Sequence, residues 1–197
     1  MIELPPEVVP NNAEPSLMDF GGVMKPATGG KALRVDRLGN RFKATISLPP
    51  MENKANGRVV VSRLIRAKSE GIRIEYPLCG VDQGSPGSPR VNGADQAGTE
   101  IALKGFRPGY GCGEGYWLSI ETDGQHYLYN AAAPATADGA GELTLTIYPP
   151  LRAEPADNDI VHLQRPMIEG LVMGEEQGWN ISLAHHVSIM FEIEESE

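Results

Sequence analysis

Four histidines, two cysteines, a glycine-rich run and a group of aromatic residues are the parts of this 197-residue chain with chemical potential. His126 and His162 fall in separate strand-like segments. His185 and His186 are adjacent, so on a strand they face opposite sides. None has the H-E-x-x-H or related spacing that brings ligands to one metal ion. One histidine pair plus a carboxylate is the most these positions allow. Cys112 has no neighbouring base to activate its thiol, and no G-x-S-x-G elbow occurs. The run Gly109-Tyr110-Gly111-Cys112-Gly113-Glu114-Gly115 has neither phosphate-loop spacing and is followed by a strand pattern, so it reads as a tight loop. Glu169, Glu175, Glu176 and the tail residues Glu192, Glu194, Glu195 and Glu197 lie in turns or near the terminus, where carboxylates are usually solvated. Tyr116, Trp117, Tyr127 and Tyr129 occupy neighbouring hairpin strands. They are the candidate ligand contacts, either as a platform for a sugar or as barrel core with an aromatic rim. No catalytic residue, cofactor-binding residue or metal ligand is assigned.

The elements that would carry these residues are mostly strands. Arg41–Leu48 alternates, with Phe42, Ala44, Ile46 and Leu48 on one face. Residues 57–70 form the one convincing helix, with Val60, Val61, Leu64 and Ile65 as its apolar stripe, Asn56 as a candidate cap and Gly71 as its stop. Short strands are expected at Phe20–Lys25, Arg34–Asp36 and Ile72–Tyr76. Residues 1–19, with prolines at 5, 6, 10 and 15, read as an extended arm without regular structure. Residues 80–98 read as a polar connector.

From about Asp95 to Leu163 the chain reads as five or six short strands. Asp123-Gly124 and Asp138-Gly139 supply turns. Closure into a small barrel would remove unpaired edges. Beyond it, residues 179–194 read as two strands or one long bent one, and Val187, Ile189, Phe191 and Ile193 need a sheet that residues 165–197 cannot supply alone. The expected architecture is mostly β. A β-sandwich-like domain with one helix, residues 1–90 plus 165–197, is interrupted by an inserted small β-barrel, residues 91–164.

Net charge is −9, which argues against general binding to nucleic-acid phosphates. No apolar run approaches the roughly 20 residues of a membrane span. The N-terminus lacks the basic-then-apolar pattern of a secretory leader, so synthesis into the cytosol is expected. Cys79 and Cys112 could pair, but two thiols in a chain of this size are more often free and buried.

Several blocks carry a resemblance. DFGGVMKPATGGKALRVDRLGNRFKATISLPPM, GRVVVSRLIRA, YPPLRAEPADNDIVHLQRPMIEGLV and WNISLAHHVSIMFEIEE resemble a family of tail proteins from long-tailed bacteriophages. These are distal tail or tail-tip structural components of phages and prophages of Proteobacteria. The resemblance implies a belt-type β-sandwich with an added β-domain. It also implies a homohexameric ring joining the tail tube protein to the hub and other tail-tip proteins, in a virion assembled in the host cytoplasm. It supplies no catalytic residue and no cofactor. The alternative reading is a carbohydrate-binding module of the tail tip that contacts host glycans through Trp117 and the nearby tyrosines. A cell-wall hydrolase is a further rival, without a positioned Cys/His, Glu pair or zinc signature to support it.

Overall fold

The computed structural model describes residues 1–196 apart from Asp36 and Leu38. The chain opens with β1 (Ile2–Glu3), β2 (Asn12–Met18), β3 (Gly22–Met24), β4 (Leu33–Val35) and β5 (Arg41–Glu52), followed by helix α1 (Arg58–Glu70) and β6 (Ile72–Glu75). The middle contributes β7 (Gly87–Val91), β8 (Glu100–Phe106), β9 (Gly111–Cys112), β10 (Trp117–Thr122), β11 (Gln125–Ala131), β12 (Ala135–Thr136), β13 (Leu143–Tyr148) and β14 (Ile160–His162). It ends with β15 (Met167–Val172), β16 (Trp179–Ile181) and β17 (His186–Glu195).

Two hydrophobic cores result. The first sheet runs β1-β6-β15-β17-β5-β2, with β16 also on β17. Its alternating strands bury Phe42, Ala44, Ile46 and Leu48 from β5 against Val187, Ile189, Phe191 and Ile193 from β17, and α1 covers them with Val60, Leu64 and Ala67. The second core fills a closed six-stranded barrel, β10-β11-β13-β8-β7-β14, with Val91, Ile101, Leu103, Leu118, Ile120, Leu145 and Ile147. A mostly β chain with one helix and one barrel therefore follows from period-2 patterning almost throughout.

Local chemistry explains most turns. Asp123 and Gly124 both take positive φ, 53° and 80°, in the two-residue turn between β10 and β11. That is the twist a tight hairpin requires. Gly71 ends α1 at φ 73° and donates its N–H to the Ala67 carbonyl. Gly170 is needed for space, because a Cβ there would lie 1.8 Å from the Glu194 carbonyl oxygen.

Several expectations are corrected. Residues 1–19 are not a free arm: β1 pairs in parallel with β6, and β2 pairs with β5 along its whole length. Pro15 fits because β2 is an edge strand, where a missing N–H costs no ladder bond. The 80–98 connector holds β7, whose Val91 is fully buried. Helix α1 starts at Arg58 after an irregular turn over Asn53–Gly57, and no side-chain hydrogen bond caps it, so Asn56 is not the cap. Ile65 is exposed, because the buried line runs through positions 60, 64 and 67, about 100° away around the helix. Of the two readings of residues 179–194, the two strands are found, joined by a turn at His185, φ 63°. The Arg34–Asp36 strand is found as Leu33–Val35, and Asp36 lies outside the described residues.

Both cysteines are free, as expected, but only Cys112 is buried; Cys79 lies exposed. Burial pushes the Cys112 thiol up to about 11. Only the thiolate reacts with disulfide reagents. Native protein should therefore release one equivalent of thionitrobenzoate quickly and the second only on unfolding. Two fast equivalents would contradict the buried placement.

Candidate functional site

The sheet and the barrel meet along an incomplete seam. The β11–β13 ladder covers only Asn130 and Ala131. The earlier N–H groups of β11 on that edge, at His126 and Leu128, need other acceptors, since an unpaired buried N–H is costly. Two glutamates from the sheet supply them. Glu195 Oε1 accepts from the Leu128 N–H at 2.8 Å, and Glu169 Oε2 from the His126 N–H at 3.3 Å. Glu195 Oε2 also accepts from the Phe42 N–H at 2.7 Å, so one carboxylate spans both units.

The charges at this seam are paired in low solvent. Arg152 Nη2 donates to Glu195 Oε1 at 2.7 Å, with both side chains almost completely buried. The guanidinium lies 5.3 Å from the centre of the Tyr127 ring and 5.8 Å from that of Tyr129. Such stacking recovers part of the lost hydration. Burial pushes the Glu195 carboxyl up, while Arg152 and the two N–H donors pull it down. Arg73 Nε donates to Glu169 Oε2 at 2.6 Å, and its Nη2 donates to the Gly124 carbonyl at 2.7 Å, on the β10–β11 turn. The expectation that Glu169 and Glu195 are merely solvated is thus overturned: both act as acceptors for an unfinished barrel edge. Glu197 lies outside the described residues.

The candidate aromatics do not share one surface. Trp117 packs edge-on to Phe42 at 5.0 Å and against Tyr76 at 4.4 Å, between barrel and sheet. Its N–H and carbonyl are held by the Gln83 side chain, which also donates to the Leu163 carbonyl. Tyr129 is fully buried, Tyr127 is half-buried beside Arg152, and Tyr116 lies over Gly113. One side of Trp117 joins Tyr76, Leu78 and Pro10 in a cleft of about 360 Å³.

A third grouping is one histidine pair with a carboxylate, the arrangement the sequence left open without naming its members. Glu121, His126 and His162 bring their ligand atoms within 4.8 Å of one another. The two-residue Asp123-Gly124 turn sets Glu121 opposite His126, and the β10–β14 ladder sets Ser119 opposite His162. Glu121 Oε2 lies 3.2 Å from His162 Nε2 and 3.9 Å from His126 Nε2. The hydrogen bond to His162 holds the Glu121 carboxyl below its usual range. Burial, with Arg73 nearby, pushes His126 down to about 4, so its imidazole is neutral at pH 7. The Glu121–His126 pairing was legible from the hairpin register, whereas the arrival of His162 required the closed barrel.

Compared with known proteins, the chain matches no family model and no curated protein. Among the described residues, no helix is long and apolar enough to cross a membrane.

Proposed function

We propose that the chain is a structural component of a bacteriophage tail tip, a subunit of a closed ring that joins the tail tube to the hub. The observation that carries this reading is a set of exposed apolar side chains on two hairpins. In β3–β4, Val23, Met24 and Leu33 are each more than half exposed. Around β16 and β17, Ile181, Leu183 and Met190 are too, with Trp179 close behind. Neither hairpin places these side chains in the protein's own cores. Large apolar side chains left in solvent along two hairpins are what a contact with another protein would cover. The occupant we infer is a second copy of this chain. Two different patches that recognise each other give a head-to-tail contact, and a head-to-tail contact closes into a ring when its rotation allows. The block resemblance to distal tail proteins points to six copies.

The test is sedimentation velocity of the full chain over a wide concentration range, with a Val23→Ser, Leu33→Ser double variant beside it. Concentration-dependent assembly that the double variant loses is the expected result. Assembly unaffected by the variant, or none at any concentration, would count against these hairpins as the contact.

A second reading, a tail-tip module that binds host glycans, draws support from the Trp117–Tyr76 cleft. One aromatic face beside a pocket of this size can stack a single sugar ring. Saturable binding on a glycan array, lost in Tyr76→Ala, would favour it.

A further inference from the structure

We propose that Glu121, His126 and His162 form a binding site for a divalent transition-metal ion, zinc above all. The proposal is independent of the tail-tip reading. Three side chains of ligand type converge from three strands of the barrel, β10, β11 and β14. Two imidazole nitrogens and a carboxylate oxygen are a donor set that suits zinc and not magnesium or calcium, which prefer oxygen alone. Both histidines turn Nε2 toward the same Glu121 oxygen, at 3.2 Å and 3.9 Å. Ligand atoms bonded tetrahedrally at about 2.0–2.1 Å to zinc lie roughly 3.3 Å apart. Small side-chain rotations therefore suffice to close the set around an ion.

The surroundings have the features of a built site. Ser119 Oγ lies 3.3 Å from His126 Nδ1 and accepts the Met167 N–H at 2.9 Å. An imidazole with its proton on Nδ1 donates to this oxygen and presents its Nε2 lone pair to the cluster. Orientation of this kind by an outer partner is usual for metal-bound histidine. Arg73 is the nearest cation, and its charge is met by Glu169. Glu121 is then left to neutralise an ion.

Glu121 and His162 are both partly exposed to solvent. His162 lines a cleft of about 330 Å³ with Arg90, Ile160 and Gln164. Three protein ligands leave a fourth position for water or for a group from outside the chain. The ion would also fasten β14, whose ladder to β7 consists of the single pair Ile160 and Arg90.

The test is isothermal titration of the metal-stripped full chain with Zn²⁺, alongside Glu121→Gln and His162→Gln. These two positions are half-exposed, so their variants keep the fold, and thermal melts verify it. His186→Gln is the control, because His186 is exposed and away from the cluster. Co²⁺ absorption reports on coordination geometry separately. Expected are one equivalent of Zn²⁺ in the natural chain and in the control, and affinity at least about 10-fold weaker in each folded cluster variant. The natural chain should show the strong visible bands of tetrahedral Co²⁺. Absence of saturable one-equivalent binding, or affinity unchanged in the folded variants, overturns the proposal. Should one variant fail to fold, the other decides.

Discussion

Replacing Glu195 with alanine should destabilise the protein by about 3–5 kcal/mol, the cost of leaving one member of a buried ion pair alone. For a chain of this length that lowers Tm by roughly 6–20 °C. The loss follows from what the carboxylate serves. It accepts from the Leu128 N–H in the barrel, from the Phe42 N–H in the sheet and from Arg152. Its removal orphans all three donors at once. Arg152 already has two buried nitrogens, Nε and Nη1, without a hydrogen-bond partner, so it has little capacity to absorb the loss. Thermal melts of Glu195→Ala provide the measurement. Replacing both partners with apolar residues, Arg152→Met with Glu195→Leu, should recover part of the stability, because no buried charge then remains. An exposed pair sets the contrast: breaking Arg66–Glu70 on α1, where solvent screens both charges, should leave Tm almost unchanged. If Glu195→Ala melts within a degree or two of the natural chain, the seam does not hold the two units together.

Removal of residues 165–197 should unfold the sheet while sparing the barrel. Strands β15 and β17 sit at the centre of the order β1-β6-β15-β17-β5-β2. Without them the sheet separates into a β1–β6 pair and a β5–β2 pair. Four buried β17 side chains, Val187, Ile189, Phe191 and Ile193, would be lost. Each contributes about 1.5–3 kcal/mol by burial. Their sum is comparable to the whole stability of a typical domain, about 5–15 kcal/mol. The barrel keeps all six of its strands, which lie between Gly87 and His162. Hydrogen exchange is the readout. Amides of β5 and α1 should exchange without protection in the truncated chain, while those of β8, β10 and β13 stay protected. Protection retained in β5 would contradict the central role of β17.

Particular residues explain what the sequence made legible. Alternation in Arg41–Leu48 and Val187–Ile193 marked two half-buried strands, because a period of 2 needs no knowledge of partners. Asp123-Gly124 marked its hairpin, because few dipeptides tolerate two positive φ angles. The proline-rich start misled, since proline excludes a central strand but not an edge, and being an edge is a property of the whole sheet. Glu195 misled for a related reason. A terminal carboxylate has no local signal that a barrel edge six strands earlier in the chain lacks an acceptor. The metal-type cluster was half visible: counting back and forward from the turn pairs Glu121 with His126. His162 lies 36 positions beyond His126 and arrives only through barrel closure, which no spacing rule encodes.

The ring is the claim on which the functional reading rests, and its most direct measurement is a cryo-electron microscopy reconstruction. The sample is particles purified from cells that express this chain, carrying an affinity tag, together with the genes that adjoin its own. Expected is tagged density at the end of the tail tube, arranged as a closed six-fold ring with β3–β4 and β16–β17 hairpins in the contacts between copies. A single copy per tail, or tails whose tips carry no tagged density, would contradict it.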